Sequence, residues 1–386
     1  MLKIKSNPLK VLYTASFFLS FGVALSSYIN SSFLSTLIGQ NKIGIVYAVA
    51  SFVAIWGITM LPKIIRRYGA YSTTIAMCLI CIASLLALSR DGGAPALLAV
   101  FIIYYAMVAM TFYSFDIFVE NYSKDSSTGK TRGTYLAIGN LAWLLTPLIV
   151  GRLAEGNVYG GVYLICAICI LPVVIVFASR FKRFEDPKYA EISFASAWRA
   201  MQKHKSLKNI FKLNFILQFF FSWMVIYTPL YLHQYIGFDW KTIGYIFTFM
   251  LLPFILIQIP AGRLADRKYG EREMLIVGLG IAGVATFCVA ILGNAGAVVW
   301  AAVLFTTRVG AAMTESMSEI YFFKNIGPED AGLLGLYRNM GPLAYIIAPL
   351  LATLFLSIFD IQYLFVFLSL FVLSGIFVAI KLKDTK

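Results

Sequence analysis

Charge is what this chain is short of. Only 13% of its 386 residues are charged, while 60% are hydrophobic; an average soluble domain carries about 25% charge. So little charge cannot cover a water-exposed surface, and the composition is that of an integral membrane protein. Acid is scarcer than base, with 18 Asp and Glu against 32 Lys and Arg and a net charge of +14. Histidine is nearly missing: His204 and His233 form no ligand cluster. The five cysteines all fall in apolar runs. Cys78-x-x-Cys81 and Cys166-x-x-Cys169 have the spacing of redox or metal pairs, but within lipid-spanning helices they serve as small apolar fillers. No metal site and no cofactor is expected, and no serine elbow or His–Asp pair points to an enzyme.

What the chain has in abundance is long apolar stretches. Twelve of them, at 11–33, 42–62, 72–89, 95–120, 132–152, 159–179, 209–232, 240–261, 273–292, 297–322, 332–356 and 361–380, approach the roughly 20 apolar residues that cross a bilayer. The basic start MLKIKSNPLK before Val11 is like a secretory signal, but no small-residue cleavage pattern closes the run, so it is taken as the first membrane helix. An even number of spans puts both ends of the chain on one side. That side holds 26 of the 32 Lys and Arg and the other side 4, with Arg308 and Arg338 inside spans. The positive-inside rule then places both termini in the cytoplasm of a cell whose inner membrane the chain spans. Topology accounts for the net charge, and no nucleic-acid partner is needed.

The longest loop divides the spans six and six: an N-terminal bundle over 1–180, a cytoplasmic linker over 181–208 and a C-terminal bundle over 209–386. Within the linker, Ser193 is placed to cap a short helix with Phe194, Ala197, Trp198 and Met201 on one face, lying at the lipid surface; a solvated basic linker is the alternative. The two halves repeat. Gly133-x-Tyr135-x-x-x-Gly139-x-Leu141-Ala142-x-x-x-x-Pro147-Leu148 recurs 202 residues later as Gly335-x-Tyr337-x-x-x-Gly341-x-Leu343-Ala344-x-x-x-x-Pro349-Leu350. Just upstream, Asp116-Ile117-Phe118 matches Glu319-Ile320-Tyr321 at an offset of 203. Shared Gly and Pro imply close helix contacts and bends in spans 5 and 11. Six plus six spans in parallel repeat is a transporter architecture.

Span 10 carries the chemistry. Ala297–Lys324 is apolar enough to cross a membrane, yet contains Arg308, Glu315 and Glu319. At 100° per residue Glu315 lies about 20° to one side of Arg308 and Glu319 about 20° to the other. Ionisable groups at membrane depth face a protein interior or a water-filled cavity and mark a working face; a structural ion pair locking two helices is the bland alternative.

After span 8 comes Gly262-Arg-Leu-Ala-Asp266-Arg267-Lys-Tyr-Gly270, which resembles the G-x-x-x-D-R-x-G loop of the major facilitator superfamily with one extra residue before Gly270. The first-half counterpart, Pro62 to Gly69, lacks the first Gly and the Asp. The resemblance implies an all-α membrane fold of 12 transmembrane helices in two six-helix pseudo-repeats. It also implies that Gly262, Asp266, Arg267 and Gly270 act as a conformational latch. Spans 1, 4, 7 and 10 would line a central path, to which it assigns Asp116, Tyr105, Asn214, Gln218, Trp223 and Tyr227 beside the span 10 charges. Leu304-x-x-x-Arg308-x-Gly310 also looks like the mid-membrane Arg motif of proton antiporters, displaced here from span 4 to span 10.

These features together give a secondary active transporter that moves a small organic solute by alternating access. Burial favours the neutral form of a carboxylate. Glu315, Glu319 and Asp116 are therefore candidates to carry protons, with efflux of amphipathic compounds the specific form. Uptake of a polar or anionic metabolite, with Arg308 as its ligand, is the alternative within the class. A transporter-like sensor or structural protein without flux is the alternative outside it. The partners expected are the solute, protons and lipid, around a monomer.

Overall fold

The computed structural model describes residues 8–39, 43–123, 128–153, 159–187, 194–265, 270–327 and 330–383. Among them there is no strand. The helices are α1 (Pro8–Ile38), α2 (Ile43–Tyr68), α3 (Ala70–Leu88), α4 (Ala94–Asn121), α5 (Thr128–Leu153) and α6 (Tyr159–Arg180) in the first half of the chain. Helix α7 (Phe194–Lys203) lies in the linker. The second half holds α8 (Lys205–Leu230), α9 (Trp240–Leu251), α10 (Pro253–Leu256), α11 (Gln258–Leu264), α12 (Glu271–Ile291), α13 (Ala297–Lys324), α14 (Ala331–Arg338), α15 (Met340–Leu356) and α16 (Ile361–Ala379).

Among the described residues, eleven stretches are long and apolar enough to cross a membrane. The fifth span of the sequence, α5, is the twelfth long helix at 26 residues. It is less apolar because Lys130, Arg132 and Asn140 interrupt its first half. Span 8 is one apolar run in the sequence but three short helices in the structure, since Pro253 lacks the N–H that would continue the ladder. Span 11 is interrupted at Asn339, between α14 and α15, whereas α5 runs without interruption. The Ser193 cap lies outside the described residues; within α7, Met201 is buried and Trp198 exposed.

The chain forms two compact units. One is Met1–Lys124, Leu141–Ala195 and Ile326–Asn339; the other is Asp125–Asn140, Ser196–Asn325 and Met340–Lys386. Each unit is built mainly from one half of the chain and takes in one short segment of the other half, the start of α5 or all of α14. Inside each unit the same packing recurs. In the first, α1 packs on α6, α2 on α4, and α3 on both α4 and α6. In the second, α8 packs on α16, α9 on α13, and α12 on both α13 and α16. The two halves of the chain thus repeat these helix contacts.

Two turns show how local chemistry sets these elements. Gly69 and Gly270 precede α3 and α12 with φ of 81° and 73°, a region that side chains other than glycine rarely adopt. Helix α12 begins with Glu271 and Glu273, whose charge suits a helix N-terminus. The first-half turn has no acid of its own. Asp186, beyond the end of α6, supplies one: its Oδ1 accepts a hydrogen bond of 2.9 Å from the Ala70 N–H.

Candidate functional site

Helix α13 turns one face to α12 and carries Arg308, Glu315 and Glu319 on the other. A Cβ on Gly310 would collide with the α12 backbone at the Gly278 carbonyl and the Ala282 nitrogen. That close approach fixes the rotation of α13, because only glycine lets the two backbones come so near. Arg308 and Glu315 lie roughly opposite Gly310 on the helical wheel, about 160° and 140° away.

Arg308 is 2% exposed, and its guanidinium carbon sits 5.3 Å from the ring centroid of Phe220 on α8. That is within cation–π range. Glu315 is half-buried, and its Oε2 accepts a hydrogen bond of 2.7 Å from Gln258 Nε2 on α11. Gln258 is fully buried, and its Oε1 accepts one of 3.0 Å from Asn140 Nδ2 on α5. Three helices therefore meet in one polar line running Asn140, Gln258, Glu315. Glycines allow it. A Cβ on Gly133 would stand 2.7 Å from the Gln258 carbonyl, and one on Gly262 would collide with the Gly129 carbonyl. Gly129 and Gly133, one turn apart on α5, thus lie against Gln258 and Gly262, one turn apart on α11, in a small-residue crossing typical of membrane helices.

Toward the end of α13 the charges are held differently. Glu319 is buried at 4% exposure. Lys324 Nζ donates to Glu271 Oε1 of α12 over 2.6 Å, and Glu271 is fully buried. Arg132 of α5 is fully buried, with its guanidinium carbon 3.2 Å from the ring centroid of Phe323.

In the other unit, Asp116 of α4 is 1% exposed and accepts a hydrogen bond of 2.6 Å from Arg338 Nε of α14. The adjacent Asn339 Nδ2 donates to Thr59 Oγ1 of α2 over 3.1 Å. The half-buried Tyr105 belongs to an aromatic group, its ring 5.9 Å from Tyr47 and 6.2 Å from Phe101. On α8, Gln218 Nε2 donates to Asn214 Oδ1 over 3.4 Å. Trp223 is 1% exposed and donates from its indole to the Ala348 carbonyl of α15 over 2.7 Å, with Phe219 and Phe367 against its ring. Tyr227 stands edge-on to it at 6.3 Å. Of the loop after α11, Gly262 and Gly270 are placed as above, while Asp266 and Arg267 lie outside the described residues.

The structure thus brings Glu315 together with Gln258 and Asn140, two residues the sequence did not single out. The signal for Gln258 was present: it is the one polar side chain in the run Leu251–Pro260. Asn140 stands one place after the shared Gly139, unmarked by the repeat because its counterpart is Pro342. All five cysteines are free, and among the described residues no three His, Cys, Asp or Glu side chains are grouped to hold a metal.

The sequence profile described as Major Facilitator Superfamily matches residues 12–341 and 242–386. Two solved structures superpose over nearly the whole chain. The human organic anion transporter MFSD10 (TETRAN) does so with a TM-score of 0.77 at 14% identity, covering 98% of this chain and 100% of that one. The proton:xylose symporter XylE does so with a TM-score of 0.75 at 13% identity, covering 98% and 96%. At such identities the likeness is one of fold alone. No curated protein sequence matches the chain significantly.

Proposed function

The chain belongs to the major facilitator superfamily and is a transporter rather than an enzyme, and on that premise we propose that it couples a small organic solute to protons by alternating access, with Glu315 as the carboxylate that takes up and releases the proton. The observation that supports this reading is the hydrogen bond from Gln258 to Glu315. Asp116 and Glu271 are paired with cations, Arg338 and Lys324, at 2.6 Å each, whereas Glu315 accepts from an uncharged amide. A neutral amide can serve both states, since its Nε2 donates to a carboxylate and its Oε1 can accept from the O–H of the protonated acid. Glu315 is also half-buried, so a proton has a way in. The superfamily architecture supplies alternating access to the two sides.

Efflux of amphipathic compounds is the form we favour, with aromatic side chains such as Tyr105 and Tyr227 as the apolar contacts. In proteoliposomes with an imposed pH gradient, a panel of amphipathic cations and organic anions identifies the solute. Glu315→Gln then abolishes gradient-driven movement while solute exchange persists; gradient-driven movement at the wild-type rate overturns the assignment. Arg308 supports a second reading, uptake of an organic anion. A guanidinium only 2% exposed and held over an aromatic ring is a preorganised partner for a carboxylate. In that case Arg308→Lys loses anion transport and keeps its melting temperature.

The same proposal places both termini and the 181–208 linker in the cytoplasm of an inner-membrane monomer. It also gives the loop from Gly262 to Gly270 the role of a latch, which Asp266→Asn weakens. Impermeant thiol labelling of a cysteine at position 188 from outside intact cells overturns the orientation.

A further inference from the structure

We propose that Gln258 is the positioning residue for the Glu315 carboxylate and that, with Asn140, it forms a two-state amide relay that transmits the protonation of Glu315 to α5. This rests on Glu315 being the coupling group.

The argument is one of donor and acceptor polarity. An ionised carboxylate only accepts. Gln258 must then turn its Nε2 toward Glu315, as it does at 2.7 Å. Its Oε1 is thereby turned toward α5, where it needs a donor. Asn140 presents Nδ2 there at 3.0 Å. One charge at Glu315 thus sets the orientation of two amides in sequence. Because Gln258 is fully buried, no bulk water takes the place of either partner, and a mismatched amide would leave a buried polar group unsatisfied.

Protonation reverses the logic. The carboxylic acid gains an O–H donor, which can serve Gln258 Oε1. Gln258 Nε2 then faces Asn140, whose Oδ1 can accept. The line keeps its hydrogen bonds in both states, with every donor reversed and no atom displaced beyond two amide flips and the proton. Such a bistable element is what coupling between a site and a helix requires.

The charged groups on the elements packed around this line are few. Arg308 and Glu319 share the stripe of Glu315 on α13, and Arg132 is buried on α5. Glu271 of α12 is held by Lys324. Arg263 on α11 is exposed, and α8 and α9 carry charge only toward their first turns. The amide chain is the neutral connection among them.

The test is infrared difference spectroscopy of the full-length protein in liposomes between high and low pH, reading the carbonyl stretch of the protonated carboxyl group. Glu315→Gln removes the band that belongs to Glu315. Gln258→Met, nearly isosteric and without polar atoms, moves that band to higher frequency because the acid loses its partner. Asn140→Leu moves it in the same direction by less, since it frees the Gln258 amide without removing it. A purely structural role for Gln258 would lower the melting temperature without moving the band. If the band stays in place in both variants, the relay is overturned while Glu315 remains the proton carrier. If Gln258→Met does not fold, Asn140→Leu decides alone. If Glu315→Gln removes no band, both the coupling role and the relay fall.

Discussion

Asp116 of one unit and Glu315 of the other are held by different kinds of partner. In one, Asp116 at 1% exposure is bound by Arg338 at 2.6 Å. In the other, Glu315 is bound by the neutral amide of Gln258 at 2.7 Å. Arg338 of α14 donates to Asp116, and Arg132 of α5, from the repeat-related span, has the ring of Phe323 against its guanidinium. A duplicated framework thus carries a charge pair in each unit, Asp116–Arg338 and Glu271–Lys324, and in the second unit also a carboxylate that accepts from an amide. The first pair ties α14 to α4, and strong pairing of this kind anchors; a carboxylate held by an amide can change state without losing its contacts.

The comparison breaks most visibly at Arg338. Arg338→Met strands the buried Asp116 charge and should cost about 3–5 kcal/mol, the usual penalty for removing one partner of a buried pair. Thermal melting in detergent measures it. Asp116→Asn should cost less, about 1–2 kcal/mol, because the Arg338 side chain is 25% exposed and reaches water. Equal losses would show that the pair is not an anchor for Asp116. In the second unit, Gly133→Val drives a side chain into the Gln258 carbonyl and should cost about 1–3 kcal/mol by overpacking. If its melting temperature is unchanged, the crossing of α5 and α11 is looser than the glycines indicate. Glu315→Gln sharpens the contrast. It keeps an acceptor for Gln258 and should change stability by under ~1 kcal/mol while removing pH-driven transport.

The smallest effect is expected at Asp239, which caps α9 by accepting the Thr242 N–H at 3.0 Å. Hydrogen bonds from Thr242 hold its carboxyl below the ordinary aspartate range. A carboxylate with a depressed folded-state value stabilises above its unfolded value and loses that contribution as pH falls through the folded one. Wild type and Asp239→Ala should therefore differ in melting temperature near neutral pH and converge below the ordinary carboxylate range. A difference that persists in strong acid would remove the cap from the account.

Much of this was legible before any coordinates. Span 10 begins and ends within two residues of the expected bounds, because an uninterrupted apolar run with no proline leaves the backbone no alternative to a helix. The repeat of Gly133 and Gly335 announced close contacts, and Gly133 makes one with the α11 backbone. The sequence marked Asp116 as a candidate to carry protons, whereas the structure pairs it with Arg338 at 2.6 Å. Other features had no one-dimensional signal. Gln258 looks like a stray polar residue in an apolar run until Glu315 and Asn140, 57 and 118 residues away, are brought to it. The acid missing from the turn before α3 is supplied by Asp186, 116 residues from Ala70.

The sequence by itself determined that this chain lies in a membrane, that it repeats, and which stripe of α13 is charged. Hydropathy and helical periodicity are properties of neighbours along the chain, and the bilayer permits little but helices. Only the tertiary structure decided what each charge is held by. That depends on which helices cross and how closely, and at the crossing of α5 and α11 it is set by glycines whose missing side chains leave room for a buried amide to reach a carboxylate.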